Sequence, residues 1–393
     1  MKQRRTFISD RQDKKIIALK VFILLFAGLS AQEQQSHSGK DSLCGTAPFV
    51  WKKYFTHQYK KVPYQYAFKA STKKELEAWQ HEFREALKKQ LGISRLEEMY
   101  RGYFPSGEKQ STEDLGSFIR EKWYIWTEPE VPLPVYILIP KDKKGKLPLV
   151  ITPHGHSKNT ALYAGIANNE EEYKQMKEGE RDVAVQAVQE GYIAIAPTTR
   201  GFGETRKEDD IQHDKLSSCR DLLVHDLLIG RTPIGDRVWD MSRIIDWAIA
   251  HLPVDAKRIA ITGNSGGGTV SLFTAACDTR ITVAVPSCYF CTFKGSIGSI
   301  GHCECNYFPG MLTMGEMYDI AGLIAPRPFC SINGRLDDIF PIQETLFAFE
   351  QLKKIYHVAG AAGNCELYIG EGGHRYYKDG AWPFIKKHFE KIK

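Results

Sequence analysis

Ser265 is the residue of this chain whose neighbours best suit nucleophilic catalysis. It lies in Gly263-Asn264-Ser265-Gly266-Gly267, which fits the pattern G-x-S-x-G. In that pattern the serine occupies a sharp turn between a strand and a helix, where small neighbours avoid clashes of Cβ atoms and leave the hydroxyl accessible. The motif alone is weak evidence, because a glycine-rich turn could also hold a phosphate or close a loop. The residues that would have to work with Ser265 therefore decide its interpretation.

A serine hydroxyl is a poor nucleophile at neutral pH, so acyl transfer needs a histidine to take its proton and an acid to orient that histidine. His374 follows a predicted strand inside the glycine-rich loop GEGGH, which could bring it over the serine. Asp337 and Asp338 follow another predicted strand. We favour Asp337 as the acid because it ends the turn after Gly334, and Asp338 is the alternative; the other aspartate would cap a helix. Further histidines that we considered as the base are His154, His156, His302 and His357.

Acyl transfer also needs hydrogen-bond donors for the oxyanion of its intermediate. The segment TPHGH follows the first predicted parallel strand, and Gly155 within it allows a close approach of the backbone. We predict the backbone N–H groups of His156 and Gly266 as the two donors. Loss of one such donor typically raises the barrier by about 3 kcal/mol. The side chains of His154 and His156 could instead bind a metal, but no third ligand is evident, so we predict none.

Two other groups have both a functional and a structural interpretation. Arg200 in the run RGFGE could position a substrate, but we favour a structural role in which it holds loops together through carboxylates. His302, Cys303 and Cys305 in the run HCEC could be metal ligands. We favour a packed loop with buried thiols or one disulfide there, because no second cluster has metal-site spacing. The nine cysteines of the chain do not form the array typical of a disulfide framework.

Apolar strands and helices alternate from about residue 120 onward, and these elements must position the site. An antiparallel pair, Trp123–Thr127 and Val135–Ile139, leads into short apolar runs typical of a buried parallel sheet. The alternation predicts a doubly wound, mostly parallel α/β sheet with active groups at the carboxyl ends of its strands. We predict these strands at Leu149–Thr152, Tyr192–Ala196, Ile259–Thr262, Ile281–Val285, Phe329–Ile332 and Glu366–Ile369, and helices at Asp182–Glu190, Arg237–His251, Gly268–Cys277, Ile342–Val358 and Ala381–Ile392.

The remaining segments suggest how the chain is divided. Residues 32–119 are predicted to be a leader and a helical extension, with an amphipathic helix over residues 71–91. Residues 120–393 are predicted to be the catalytic domain. Within it, residues 287–322 are rich in glycine, cysteine and aromatic side chains, and we predict an insertion that covers the site.

Residues 1–31 are predicted to be an export signal. Their apolar run, Ile16–Leu29, is interrupted by Lys20 and too short to span a bilayer comfortably, and we expect cleavage after Ala31. We favour the ordinary secretory route over twin-arginine export, which the run RRTFI resembles. The formal net charge is +6, of which +5 belongs to these residues, so a nucleic-acid partner is not predicted. We expect a periplasmic or secreted protein with no stable membrane anchor after removal of the signal.

From about residue 120 the chain resembles the α/β-hydrolase superfamily, and more narrowly its bacterial acetyl-xylan-esterase-like and dienelactone-hydrolase-like branch. The motifs HGH, RGFGET, GNSGGG, LIAPRPF, GRLDDIFP and GEGGHR carry the resemblance. It implies the catalytic order Ser265, Asp337, His374 and a serine esterase without cofactor or metal. Acetyl esterases of this branch remove small acyl groups from sugars or plant polysaccharides, so an acylated carbohydrate is the implied substrate. The chain departs from dienelactone hydrolases, which have a cysteine in place of Ser265, and from related carbohydrate deacetylases, which usually have glutamine in place of Gly266.

Other functions are compatible with the same residues. A methyl or glucuronoyl esterase acting on plant polysaccharide would use the same catalytic groups. A serine peptidase of the prolyl-oligopeptidase type shares the catalytic fold but usually carries a propeller domain, for which the residues before the sheet are too few and too helical. A non-catalytic binding protein on this scaffold is disfavoured, because the serine, aspartate and histidine positions are all intact. The sequence does not determine the oligomeric state.

Overall fold

The computed structural model describes residues 49–157 and 160–392, which divide into two compact units between Lys61 and Val62. The described part of the first unit holds helix α1 (Trp51–Lys61), in which the rings of Trp51 and Phe55 lie 4.6 Å apart. The predicted export signal and the residues up to 48 lie outside the described residues, and export stays a prediction. Within the described ranges, no helix has the length and apolar character needed to cross a membrane.

The second unit is built on one sheet of nine strands, in the order β1-β2-β3-β5-β4-β6-β7-β8-β9. The three pairings from β1 to β5 are antiparallel, and the five pairings from β5 to β9 are parallel. The predicted doubly wound, mostly parallel sheet is therefore confirmed. The strands are β1 (Ser106–Asp114), β2 (Phe118–Glu128), β3 (Val131–Pro140), β4 (Leu147–Ile151), β5 (Ile193–Pro197), β6 (Val254–Asn264), β7 (Val283–Ser287), β8 (Phe329–Gly334) and β9 (Cys365–Gly370).

The predicted strands are all present, with ends that differ by a few residues. The predicted antiparallel pair is β2 with β3, in which Trp123 lies opposite Val135. Strand β1 was not predicted. All nine of its residues are exposed and none is apolar, so the alternation that marks a half-buried strand is absent from it.

Helices accompany the strands along the second unit. The helices in its described residues are α2 (Lys73–Leu91), α3 (Ile93–Met99), α4 (Glu170–Glu178), α5 (Val183–Gln189), α6 (Glu208–Gln212), α7 (Cys219–Leu228), α8 (Pro233–His251), α9 (Gly266–Cys277), α10 (Met311–Met314), α11 (Met317–Gly322), α12 (Ile342–Val358) and α13 (Lys378–Phe389). The sequence predicted α2, α5, α8, α9, α12 and α13, and the structure confirms them.

Helices cover both faces of the sheet, because successive strand side chains point into two different apolar cores. Leu149 and Ile151 of β4 belong to the core that includes α2, α8, α9 and α12. Val150, between them, belongs to the core that includes α5 and α13. Burial on both faces explains why these strands are continuous apolar runs.

Helix α2, which covers most of residues 71–91, has well-defined ends. At its start the Thr72 hydroxyl accepts the backbone N–H of Glu75, and the Glu75 carboxylate accepts that of Thr72, which is a capping box. Gly92 ends the helix with φ 86°, and a Cβ there would lie 2.7 Å from the Gly230 carbonyl oxygen. Its predicted apolar stripe is buried at Leu76, Phe83, Leu87 and Leu91, and partly buried at Trp79.

Residues 287–322 follow β7 with irregular chain and the short helices α10 and α11. Gly301, His302, Cys303 and Asn306 of this segment line a cavity together with Ser265. The segment thus forms one wall of the candidate site.

Candidate active site

Ser265 lies between the end of β6 and the start of α9, at a strand-to-helix turn. Its backbone has φ 59° and ψ −118°, a left-handed conformation that residues other than glycine rarely adopt. Two glycines permit the turn, because a Cβ on Gly263 or on Gly267 would lie 2.2 or 2.0 Å from the Pro153 carbonyl oxygen. The Ser265 N–H donates to the Ser287 carbonyl at 2.9 Å, which fixes the turn against β7.

His374 and Asp337 form a hydrogen-bonded pair just after the neighbouring strands β9 and β8. His374 Nδ1 lies 2.8 Å from Asp337 Oδ2, and the Asp337 side chain is fully buried. Asp337 Oδ1 accepts the backbone N–H groups of Ile339 at 3.1 Å and Phe340 at 3.0 Å. The Phe340 ring stacks on His374 with an interplanar angle of 18°. The Asp337 carboxylate and the Phe340 ring together set the orientation of the His374 imidazole. Asp338, in the same turn, is exposed and makes no such contact.

Ser265 and His374 both line a cavity of about 300 Å³. His374 Nε2, the ring nitrogen on the far side from Asp337, is buried and has no hydrogen-bond partner among the described residues. The Ser265 hydroxyl lies 3.4 Å from His156 Nδ1. Three imidazoles, those of His156, His302 and His374, therefore line the cavity, and of these three His374 is the one paired with a carboxylate.

His156 has a mostly buried imidazole between Ser265 and the insertion. Its second ring nitrogen, Nε2, lies 3.3 Å from Cys305 Sγ. Burial lowers the pKa of His156 to about 4, because a charged imidazole would lose its hydration there. A base with so low a pKa holds a proton poorly at neutral pH, so His156 is a weaker candidate for the catalytic base than His374. From the sequence, His156 was predicted as an oxyanion donor through its backbone N–H, and its side chain was considered as an alternative base or metal ligand; the contact of that side chain with Ser265 was not predicted.

His154 holds two loops together. Its Nε2 accepts the backbone N–H of Thr199 at 3.1 Å, so Nδ1 carries the proton and donates to the Gly155 carbonyl at 2.7 Å. Burial lowers the pKa of His154 to about 3, which keeps the ring neutral. His154 thus joins the loop after β4 to the loop after β5, and it is not among the residues that line the cavity.

The two residues predicted as oxyanion donors both border the cavity beside Ser265. Gly266 is the first residue of α9, so its N–H has no acceptor within the helix. The close backbone approach predicted at Gly155 is present, since a Cβ there would lie 2.6 Å from the Asn264 carbonyl oxygen. This approach brings the backbone around His156 close to the serine turn.

Arg200 lies outside the cavity, in a buried ionic cluster. Its guanidinium donates to Asp236 at 3.1 Å and to Asp240 at 2.6 and 2.8 Å, and it also pairs with Glu128. Arg231 pairs with Glu128 and with Asp236, in both cases at 2.7 Å. Each guanidinium nitrogen of Arg200 therefore has a carboxylate partner. These contacts favour the structural alternative for Arg200 over substrate binding.

Several cavity residues were not foreseen from the sequence. Arg181 is one of the residues that line the cavity. The Tyr163 hydroxyl accepts the backbone N–H of Asn264 at 3.1 Å, next to the nucleophile. The Thr269 hydroxyl donates to Asn306 Oδ1 at 2.8 Å, which ties the insertion to α9. No local pattern marks these residues, because they reach the cavity only through the packing of distant segments.

Comparison with known proteins identifies the class to which this fold and cavity belong. The model of the Abhydrolase family matches residues 49–370. The protein is a hydrolase of the α/β-hydrolase fold, and the chain belongs to the Abhydrolase family. The superfamily resemblance carried by the sequence motifs is thereby confirmed. YtaP of Bacillus subtilis (strain 168), provisionally named a hydrolase, is 25% identical over 249 residues, which span 61% of this chain and 77% of YtaP.

Solved structures of carbohydrate esterases share this fold. A protein of Bacteroides fragilis NCTC 9343, provisionally assigned as an acetyl xylan esterase, has a TM-score of 0.67 and 20% identity over 86% of this chain and 85% of its own. A glucuronoyl esterase from Solibacter usitatus has a TM-score of 0.60 and 13% identity over 84% of this chain and 98% of its own. At these identities the similarity concerns the fold.

Proposed function

We propose that the protein is a serine esterase that removes acyl groups from carbohydrates, with an acetylated sugar or polysaccharide as the substrate. One observation carries the proposal: Ser265 on a strained turn and the carboxylate-paired His374 line the same cavity. An ester bound in this cavity would meet a nucleophile and a base together. The similarity of the fold to structures of carbohydrate esterases supports the choice of substrate class.

In the proposed mechanism Ser265 Oγ attacks the ester carbonyl carbon while its proton passes to His374 Nε2. Asp337, held by two backbone N–H groups, stabilises the imidazolium that forms. The N–H groups of Gly266 and His156 bind the oxyanion. His374 then gives its proton to the departing alcohol, and a water activated by the same imidazole releases the acid from the acyl-enzyme.

The contact between Ser265 and His156 bears on the first step. Catalytic hydrogen bonds are often long or misdirected in a free enzyme and tighten when the substrate binds. We expect the Ser265 hydroxyl to turn from His156 Nδ1, now 3.4 Å away, towards the unpartnered Nε2 of His374. His374 Nε2 can accept this hydroxyl, because no other described residue is hydrogen-bonded to it.

A uronic acid ester is the second candidate substrate, and Arg181 favours it. Arg181 brings a positive charge to a cavity whose volume, about 300 Å³, is at the small end of the range for ligand sites. A guanidinium there suits a substrate that carries carboxylates near the scissile bond. The catalytic residues would be the same, and the product alcohol would differ.

The test gives the purified protein acetylated xylan and methyl-esterified uronate polysaccharide side by side, with acetate and methanol as the measured products. We expect acetate release, and we expect Ser265→Ala to lower it by about 10⁴-fold or more while the fold is kept. Ser299→Ala, which changes an exposed serine of the insertion, is the matched control and should keep full activity. Methanol release without acetate release would select the uronate ester instead. Full activity in Ser265→Ala would show that the proposed nucleophile is wrong.

A further inference from the structure

Three potential metal ligands from two distant segments of the chain meet beside the candidate nucleophile. The ligand atoms of His156, Cys303 and Cys305 all lie within 4.8 Å of one another. Cys305 Sγ is 3.3 Å from Cys303 Sγ and 3.3 Å from His156 Nε2. We propose that these side chains bind one zinc ion. Cys219 packs in the same buried cluster, but its sulfur is not within 4.8 Å of all three atoms, so it would have to move towards the ion to become the fourth ligand.

The separations suit a tetrahedral zinc site. Zn–S bonds of about 2.3 Å and Zn–N bonds of about 2.0 Å at tetrahedral angles place neighbouring ligand atoms roughly 3.5–3.8 Å apart. The observed 3.3 Å separations need to widen by only a few tenths of an ångström. Thiolate and imidazole ligands favour zinc over magnesium or calcium, which bind oxygen.

A buried arginine beside the cluster supports thiolates over neutral thiols. Arg237 is 2% exposed and donates to the Arg200 carbonyl at 2.6 and 3.2 Å, and it forms no ion pair with a carboxylate among the described residues. Its Nη2 lies 3.5 Å from Cys219 Sγ. A buried cation requires a compensating anion. Three thiolates and a neutral imidazole around Zn²⁺ carry one net negative charge, which the guanidinium of Arg237 would balance.

Among the residues that the structure describes, the other group of this kind contains Cys288 together with Asp337 and His374. It belongs to the catalytic pair already described. The Cys288 thiol donates to the Arg375 carbonyl at 3.1 Å, and burial raises its pKa to about 12, so it stays protonated. We infer no metal there.

The proposed zinc ion would act on the candidate active site through His156. A metal on Nε2 leaves the ring proton on Nδ1, which lies 3.4 Å from Ser265 Oγ. The ion would thus hold His156 as a hydrogen-bond donor towards the reaction centre and fix the insertion against the loop after β4. This consequence rests on the proposed function, whereas metal binding itself does not.

The test uses the purified full chain, reduced and freed of metal by a chelator, and titrates it with Co²⁺ and then with Zn²⁺. We expect one ion per chain by elemental analysis, and a thiolate-to-Co²⁺ charge-transfer absorption that Zn²⁺ abolishes by displacement. The double variant Cys303→Ser/Cys305→Ser should lose both signals. Cys277→Ser changes a cysteine outside the cluster and is the matched control, which should keep both.

Two further variants keep the test decisive. If the double variant does not fold, His156→Gln should weaken Zn²⁺ binding by at least about 100-fold, since even outer-shell changes cost 10- to 100-fold. Ser265→Ala should keep one ion while losing ester hydrolysis, so failure of the esterase proposal and failure of the zinc proposal give different results. Absence of the thiolate band from the reduced wild-type protein would overturn the zinc site. Equal metal binding by the Cys303→Ser/Cys305→Ser variant would overturn it as well.

Discussion

At the residue scale, the environment of each carboxylate and imidazole distinguishes residues that the sequence leaves equivalent. Asp337 and Asp338 are neighbours in one turn, but the Asp337 side chain is buried against His374 and Asp338 is exposed. The backbone N–H groups of Ile339 and Phe340 hold the Asp337 carboxylate in place. Asp337 is therefore the aspartate that can orient an imidazole.

Substitution of the two aspartates tests this assignment. Asp337→Asn should lower kcat for ester hydrolysis by about 10⁴-fold, because an amide cannot stabilise the imidazolium and favours the wrong tautomer of His374. Asp338→Asn makes the same chemical change at the neighbouring residue. It should leave kcat within about twofold, because the Asp338 side chain is exposed. Steady-state kinetics on both variants gives the comparison. A large loss in Asp338→Asn with a small one in Asp337→Asn would reverse the assignment.

At the scale of elements, the serine turn depends on how closely the loop after β4 approaches the junction of β6 and α9. The Pro153 carbonyl oxygen fills the space in which Gly263 and Gly267 would carry Cβ atoms. Both partners of this contact are backbone atoms of packed elements, so neither can move aside as a side chain would. The glycines of the motif are required by this packing as well as by the turn.

Gly267→Ala tests that packing. In an open helix, replacing glycine by alanine stabilises by about 0.5–1 kcal/mol. Here the new Cβ would lie 2.0 Å from the Pro153 oxygen, so we expect a loss of about 1–3 kcal/mol in the free energy of unfolding and a fall in activity. Gly363→Ala, at a glycine with no atom within 4 Å of the added Cβ, is the control and should be neutral or slightly stabilising. Urea unfolding measures both, and a stabilised Gly267→Ala would contradict the packing argument.

At the scale of the whole second unit, a buried ionic cluster joins segments that are distant in the chain. Arg200 follows β5, Glu128 ends β2, and Asp236 and Asp240 belong to α8. Arg231 closes the cluster by pairing with Glu128 and Asp236. Because the carboxylates are buried, each depends on the guanidinium groups for compensation.

Arg200→Met should therefore lower the free energy of unfolding by about 3–5 kcal/mol, as it leaves buried carboxylates without their partner. The folded variant should keep its KM, since Arg200 does not line the cavity. The control is Lys141→Met, which breaks an exposed pair with Asp114 and should cost less than about 1 kcal/mol. Denaturant unfolding and steady-state kinetics test the two parts. A variant of unchanged stability but raised KM would instead favour the substrate-binding role that the sequence left open.

The sequence predicted those elements whose periodicity is strong. Buried parallel strands such as β4 and the long helix α12 are marked by apolar runs and by helical spacing, and both were found where predicted. Strand β1 was missed because none of its residues is buried. Helix α7 was missed because four of its ten residues are charged or histidine and only two of the ten are buried. Such elements form through pairing and packing, which local patterns do not record.

The sequence by itself determined the sheet, the strand ends that carry Ser265, Asp337 and His374, and the superfamily. These follow from local periodicity and from turn chemistry, which act between near neighbours in the chain. Only the tertiary structure decided that His156 faces the serine, that Arg200 is enclosed by carboxylates, and that Cys303 and Cys305 meet His156. Those contacts join segments separated by long stretches of chain, and their positions depend on how the loops pack over the finished sheet.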